Sequence, residues 1–286
     1  MSKKPHKVLL PLLLIAVLAV SAFTFAAASK LRRSKVTGAK PGMSQNPPGA
    51  TNANRGVYIR RGFLRPQLNL NLTALGDRLE KPGKERLTVI GAFTRSGEAQ
   101  PSTFVMIAEF PDRLRFTLQQ GLHTRVITFD GQQAKALGSS LEAAERDLME
   151  TVVYDTAEHF FTTQMEGQAT RFLGARFRMD DGSSANYAGP YYDIYQVGDQ
   201  IKVSADGRQQ AKYYYFNSAT LMLERVLYEV NRNGVVVKVE TLIGGWQKEQ
   251  GQTIARRIER IENGTSVFIF TINSAVLSPR VNDGVF

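Results

Sequence analysis

The histidines are the first side chains to examine for chemistry, because imidazole is the usual acid–base group and metal ligand near neutral pH. The chain has three: His6 near its start, His123 in a predicted turn and His159 in a predicted helix. None lies near another at the spacing of metal ligands, and no serine or cysteine partner is suggested by the sequence. Asp180 and Asp181 are adjacent carboxylates, but Asp-Asp-Gly between strands is typical of a turn. The sequence therefore predicts no metal site, no cofactor and no catalytic residue.

Two further chemical signatures are missing. The segment from Gly91 to Gly97 lacks the strand–loop–helix setting and the Lys-Ser/Thr pair of a phosphate-binding loop. The chain contains no cysteine, which excludes a disulfide framework and a lipid-modified cysteine at a signal cleavage site. We therefore expect a protein that is not an enzyme, and a hydrolase of envelope material is the least favoured function.

The densest basic cluster of the chain's second half is Arg256, Arg257 and Arg260. If all three lie on one strand, Arg256 and Arg260 share a face and Arg257 lies on the other. The simpler interpretation is cross-strand ion pairing with neighbours such as Glu240 or Glu249. The alternative is that the three arginines contact an anionic lipid headgroup.

Apolar and aromatic side chains give a stronger signal. Phe268 and Phe270 alternate with Val267 and Ile269, so this strand is apolar on both faces. Such a strand indicates either that a helix covers its second face or that the sheet encloses an apolar cavity. We predict a hydrophobic ligand cavity. Its predicted lining is Leu114, Phe116, Leu118, Val237, Val239, Phe268 and Phe270.

Helices are predicted at two places in the chain. Leucines spaced three and four residues apart predict a leading helix over 64–79, which Pro82-Gly83 would end. Ser139 and Glu142 have the spacing of a capping box, and a helical insertion is predicted over 139–166.

Strands account for most of the remaining chain, because the apolar period changes from helical spacing to two after the leading helix. Asn233-Gly234 and Asn263-Gly264 join alternating runs and predict two hairpins. The predicted fold class is mainly β with some helix (α+β): a single antiparallel sheet, curved because so many strands would not stay flat.

Charged residues are unevenly distributed along the chain. No Asp or Glu occurs before Asp77, whereas twelve of the 36 Lys and Arg residues do, which leaves 24 basic and 26 acidic residues in the rest, a net charge of −2. The basic pI therefore belongs to the N-terminal region, and we expect no nucleic-acid partner.

The N-terminal region has the pattern of an export signal. Residues 1–28 combine basic residues, an apolar run over 8–28 and a small-residue end, so they predict a signal peptide or an uncleaved membrane anchor. A basic linker rich in Pro, Gly and Ser follows over 29–62, and it could lie on anionic lipid headgroups. A folded domain is predicted over 63–286. We expect an extracytoplasmic, periplasmic location, with the protein either released or anchored in the inner membrane.

Several short motifs of this domain resemble the lipoprotein-localisation factor superfamily (LolA/LolB-like). They are Phe110-Pro-Asp-Arg-Leu-Arg-Phe116, Thr128-Phe-Asp-Gly131, Tyr213-Tyr-Tyr-Phe-Asn-Ser-Ala-Thr-Leu221, Trp246-Gln-Lys-Glu-Gln-Gly251 and the closing segment from Ile272 to Phe286. The resemblance implies a half-barrel of bacterial envelope proteins, with helices on the concave side and a cavity for acyl chains. Two features depart from the superfamily: the long basic linker, and the absence of a cysteine that could carry a lipid anchor.

The resemblance implies a lipid, an acyl chain or a lipoprotein as the ligand, bound non-covalently by a carrier, acceptor or sensor. The alternative is a structural or signalling module of the envelope whose core is filled and which binds a protein partner. The sequence does not decide the oligomeric state.

Overall fold

The computed structural model describes residues 66–76, 84–110, 113–165, 170–176, 189–198 and 211–286. The chain divides into two units after Thr51, and every described residue lies in the second unit. The predicted leader and linker, and the Asp180-Asp181 turn, lie outside the described residues. No helix among the described residues is long and apolar enough to span a membrane.

The described residues form one open antiparallel sheet of twelve strands, in the order β5-β4-β3-β2-β1-β14-β13-β10-β9-β8-β7-β6. This confirms the predicted class, mainly β with a single large antiparallel sheet and few helices. A separate two-stranded sheet pairs β11 with β12. The strands are β1 (Glu85–Arg95), β2 (Ser102–Glu109), β3 (Arg113–Gln120), β4 (His123–Phe129), β5 (Ala134–Ala136), β6 (Thr170–Arg176), β7 (Tyr192–Gly198), β8 (Ala211–Asn217), β9 (Leu223–Arg232), β10 (Val235–Gly244), β11 (Gln247–Glu249), β12 (Gln252–Ile254), β13 (Arg257–Glu262) and β14 (Thr265–Pro279).

The leading helix, α1 (Pro66–Leu75), is shorter than predicted. It ends at Gly76, which has φ +102 and packs so closely that an added Cβ would lie 3.2 Å from the Cα of Gln252. A side chain there would be strained and crowded, so the position favours glycine, whose left-handed φ ends the helix before Pro82-Gly83. Leu68, Leu72 and Leu75 are buried, as the leucine spacing predicts.

The helical insertion contains α2 (Ala143–Tyr154) and α3 (Ala157–Met165). The predicted cap position is wrong by three residues: Glu142 is the N-cap, and its backbone N–H donates to the Glu145 carboxylate at 2.8 Å. Ser139 instead contacts Arg125 through its hydroxyl. Arg125 also binds Glu145, which fixes the start of α2 to β4. Because Arg125 donates to the Glu145 carboxylate, the pKa of Glu145 lies below its usual value.

Helices cover one face of the sheet, which we call the inner face. The strand register places Val237 and Val239 on this face of β10, while Lys238 between them is exposed on the outer face. Both Asn-Gly hairpins are confirmed, since Asn233 and Asn263 have φ values of 53 and 48 and each is followed by a glycine with positive φ. Their left-handed pairs match the twist of the strands that they join.

The segment over 252–262, which carries the three arginines, forms two strands and not one. Its first part is β12, which pairs with β11, and its second part is β13, which lies between β10 and β14 in the large sheet. Arg256 lies between the two strands, and its backbone N–H donates to the Gly244 carbonyl. The break brings the β11–β12 hairpin against α1, where the Thr253 hydroxyl donates to the Ala74 carbonyl at 2.7 Å.

Candidate apolar ligand site

Two hydrophobic clusters fill the inner face. The first, the aromatic cluster, lies beneath α2 and includes Phe93, Phe104, Phe116, Phe268 and Phe270. The second, the helix cluster, joins α1 and α3 to strands β7–β10. Ile258 of β13 packs against both, so it marks the seam between them.

The predicted cavity residues are divided between these clusters. Leu114, Phe116, Phe268 and Phe270 are buried in the aromatic cluster and Leu118 packs against it, whereas Val237 and Val239 belong to the helix cluster. The ring centroids of Phe104 and Phe270 are 5.3 Å apart, and those of Phe116 and Phe270 are 5.7 Å apart. These are normal edge-to-face contacts, so the rings pack against one another.

The seam itself contains a small apolar cavity of about 80 Å³. It lies between the junction of α2 with α3 and strands β1, β2, β10, β13 and β14. The apolar part of its wall is Leu87, Val89, Met106, Phe110, Val152, Ala157, Ile243, Trp246, Ile254, Ala255, Ile258 and Ile272. None of these residues was among the seven predicted from the sequence. The cavity is formed where residues distant in sequence meet, which strand alternation alone cannot reveal.

A buried polar network holds the α2–α3 junction on the sheet. The Asp155 side chain is fully buried and accepts hydrogen bonds from Thr241 at 2.7 Å and from Tyr228 at 3.1 Å. Its other oxygen accepts from the Lys212 ammonium group at 2.5 Å. Burial, together with the charges of Asp155 and Glu150, raises the pKa of Tyr228 well above its usual value. The tyrosine is therefore a neutral donor to Asp155.

Arg260 extends this network beneath α2. Its side chain is fully buried, and it donates to Glu262 at 2.8 Å, to the Thr151 hydroxyl at 3.0 Å and to Tyr228 at 3.0 Å. In the structure Arg260 therefore contacts α2, β9 and its own strand, and none of its side chain is exposed to a lipid headgroup. Buried cations are normally paired in this way, because desolvation without a partner costs several kcal/mol.

The other two arginines of the predicted headgroup site lie apart from Arg260. Arg256 binds Glu249 of the β11–β12 hairpin at 2.5 Å, and Arg257 binds Glu259 at 2.9 Å on the outer face. Arg257 is the most exposed of the three. Arg256 therefore joins the loop between β12 and β13 to β11, and Arg257 pairs within its own strand.

A larger cleft of about 760 Å³ borders α2 and the ends of β8 and β9. Its lining includes basic residues such as Arg146 and Arg232 and acidic residues such as Asp147 and Glu150. Arg232 binds both Asp147 and Glu262 at 2.7 Å. This cleft carries charges of both signs, so an apolar ligand fits the seam cavity better.

His159 of α3 lies beside this network, and its ring contacts Tyr154 edge-on. Burial, and next the charge of Lys212, lower its pKa to about 4. Since the unfolded histidine has the higher pKa, protonation favours the unfolded state. The contribution of neutral His159 to the stability of the folded state is complete above about pH 6.5 and is lost as the pH falls towards 4.

We expect the protonation of His159 to lower the free energy of unfolding by on the order of 2 kcal/mol between pH 7 and pH 5. Urea unfolding at a series of pH values should show the loss, and His159→Phe should remove it because phenylalanine cannot be protonated. His159→Gln, which likewise cannot be protonated, should lose this pH dependence in the same way. An unchanged pH dependence in His159→Phe would contradict the assignment.

No three His, Asp or Glu side chains converge as possible metal ligands in the part of the chain that the structure describes. Sequence reasoning placed its apolar residues on the correct faces but missed the seam, Asp155 and Trp246. The only available signal was composition, since Trp246 is the single tryptophan of the chain.

Several solved structures are similar to this chain. A LolA superfamily protein from Nitrosomonas europaea aligns with a TM-score of 0.49 and 12% identity, over 76% of this chain and 96% of that chain. An outer membrane lipoprotein-sorting protein domain from Vibrio parahaemolyticus aligns with a TM-score of 0.43 and 9% identity, over 77% and 92%. A DUF1329 family protein from Desulfovibrio piger aligns with a TM-score of 0.41 and 10% identity, over 80% and 95%.

The superfamily that the sequence motifs resemble is represented among these similar structures. No protein-family model matches the chain. No curated protein matches it either.

Proposed function

We propose that this protein binds an acyl chain, a lipid or a lipidated protein non-covalently between the sheet and helices α2 and α3. The observation that carries this proposal is the apolar cavity at the seam of the two clusters. Each methylene group transferred from water into such a site contributes about 0.8 kcal/mol. An acyl chain of ordinary length can therefore bind to the protein without any catalytic or metal-binding group.

The cavity must enlarge to admit a whole chain. An apolar cavity of about 150 Å³ accommodates one benzene-sized ligand, and this one measures about 80 Å³. We propose that the apolar side chains lining the seam rearrange when a ligand enters, while the α2–α3 junction stays anchored through Asp155. The packed aromatic cluster would remain in place beside the ligand.

The proposed location is the cell envelope, on the extracytoplasmic side. The support is the sequence of the first 62 residues: a basic start, an apolar run over 8–28 and a basic linker without acidic residues. Such a linker near an anionic membrane gains about 1 kcal/mol for each basic residue close to the surface. In this proposal the linker keeps the domain near its lipid or lipoprotein ligand, whether or not the leader is cleaved.

Native mass spectrometry of the purified protein, with solvent extraction of bound material, tests the proposal. We expect an adduct that extracts as phospholipid or fatty acid, or one that forms on incubation with lipids or acyl peptides. If the measured mass equals that of the protein alone, both after purification and after incubation with lipids or acyl peptides, ligand binding is contradicted.

Filling the cavity should prevent uptake. Val152→Phe places a larger side chain on the α2 wall of the cavity, so we expect adduct formation to fall at least 10-fold. Overpacking of this kind typically costs 1–3 kcal/mol of stability, which circular dichroism and urea unfolding would monitor. Ile90→Phe is the matched control, because Ile90 is exposed on the outer face of β1, and its uptake should be unchanged. If folded Val152→Phe takes up as much ligand as the unmodified protein, the seam cavity is not the binding site.

The second candidate is a structural or signalling module of the envelope that binds a protein partner. The packing of Phe116, Phe268 and Phe270 favours it, because these side chains were predicted to line a cavity and instead fill the core. A protein without any lipid adduct that remains stably folded would support this candidate over the first.

A further inference from the structure

Trp246 occupies a distinctive position at the seam cavity. It follows Gly245, whose φ is +66, and precedes β11, so a tight backbone turn directs the chain from β10 towards the hairpin. Its ring is half-buried, packs against the helix cluster and lines the cavity.

The indole nitrogen of Trp246 is buried and has no hydrogen-bond partner among the described residues. Leaving a buried donor unsatisfied costs about 1–3 kcal/mol. An indole N–H can only donate, so the missing partner must be an acceptor. A ligand in the cavity that carried an acceptor oxygen would remove this cost.

Two polar residues that line the cavity at the α2–α3 junction, Asp155 and Thr156, already have hydrogen-bond partners. Asp155 accepts from Lys212, Tyr228 and Thr241. The Thr156 hydroxyl donates to the Val153 carbonyl at 3.2 Å and accepts from the His159 backbone N–H at 3.1 Å. Asp155 and Thr156 are therefore satisfied without a ligand, whereas the buried Trp246 N–H is a donor that a ligand would satisfy.

We infer that Trp246 recognises the acyl carbonyl of the ligand. Its indole N–H donates to the carbonyl oxygen of an ester, amide or acid, while the adjoining methylene groups lie against the apolar wall that includes Val152 and Ile272. The ligand class is thus narrowed from any apolar chain to one with a carbonyl at its head. This inference rests on the proposed function, since it requires a ligand in the seam cavity.

The single tryptophan makes the orientation measurable in the unmodified protein. Stearic acid carrying a nitroxide at carbon 5 and stearic acid carrying it at carbon 16 are added in turn. Electron paramagnetic resonance gives the bound fraction of each label, and tryptophan fluorescence reports the distance from the nitroxide to Trp246. At equal bound fractions, we expect the carbon-5 label to quench more strongly. Equal or reversed quenching, with both labels bound, would overturn the inference and leave the proposed function standing.

A matched pair of competitors tests the hydrogen bond itself. Methyl stearate and octadecyl methyl ether differ in the carbonyl, and each displaces the carbon-16 label in the paramagnetic resonance assay. One hydrogen bond contributes about 0.5–1.5 kcal/mol, so the ester should bind about 2- to 10-fold more tightly than the ether. In Trp246→Phe, which keeps an aromatic ring but has no N–H, this preference should disappear.

The outcomes separate the two proposals. Persistence of the ester preference in Trp246→Phe, or its absence in the unmodified protein, would exclude the indole as the carbonyl donor. If neither labelled acid is immobilised by the protein, both the inference and the proposed function fail. If Trp246→Phe does not fold, the quenching pattern and the ester–ether ratio of the unmodified protein still decide the question.

Discussion

Asp155→Ala is expected to lower the free energy of unfolding by about 3–5 kcal/mol, because removal of one member of a buried ionic network leaves its partners uncompensated. Lys212 would lose its 2.5 Å contact while only 14% of its side chain is exposed. Thr241 and Tyr228 would lose the acceptor of their buried hydroxyl groups. Urea unfolding followed by circular dichroism measures the effect.

The control is a surface ion pair. Glu98 binds Arg95 at 3.5 Å, and both side chains are about one-third exposed, so Glu98→Ala should cost less than about 1 kcal/mol. Asp155→Ala combined with Lys212→Met should recover part of the loss, since the buried ammonium group that Asp155→Ala leaves with Glu150 at 3.4 Å is then gone. A loss below 1 kcal/mol for Asp155→Ala, or no recovery in the double variant, would contradict a charge-paired network.

The same network explains why the helical insertion has a defined position. An α2 packed only through Leu148, Met149 and Val152 could shift along the sheet at little cost, because apolar contacts are not directional. The hydrogen bonds from Arg260 to Thr151 and from Thr241 to Asp155 are directional and fix the helices relative to β13 and β10. The α2–α3 junction is therefore anchored at one side of the seam cavity.

Local sequence pattern predicted the sheet and its turns well. Period-two alternation on β10 and the two Asn-Gly hairpins depend on neighbouring residues, which the sequence displays directly. Helix ends were less predictable: α1 ends where Gly76 adopts a positive φ, and Gly76 lies against Gln252, which is far away in the chain. The N-cap at Glu142 was not predicted, because Ser139 and Glu142 also have the spacing of a capping box.

The site was less predictable than the fold. Alternation correctly indicated that Phe116 and Phe270 face inward, but it could not show that their rings touch one another and fill the space. Arg260 illustrates the same limit, since its buried partners Thr151 and Tyr228 come from α2 and β9. Contacts between distant segments decide which inward-facing residues line a cavity and which close it.

Phe270→Ala should destabilise the protein by about 3–5 kcal/mol, the usual cost of truncating a buried phenylalanine. Its ring lies within 5.7 Å, centroid to centroid, of Phe93, Phe104, Phe116 and Phe268, and only 1% of the residue is exposed. The loss combines the transfer free energy of the ring with the cavity left behind. Thermal and urea unfolding provide the measurement.

Val276→Ala is the control on the same strand, since Val276 is 45% exposed, and it should cost less than about 1 kcal/mol. A loss from Phe270→Ala as small as that of the control would contradict a packed aromatic cluster, and the ligand space would then extend over the predicted residues. The expected large loss means that Phe270 supports the fold. A ligand must then enter beside the cluster, at the seam that Val152 and Trp246 line, so this measurement and the Val152→Phe uptake assay together locate the site.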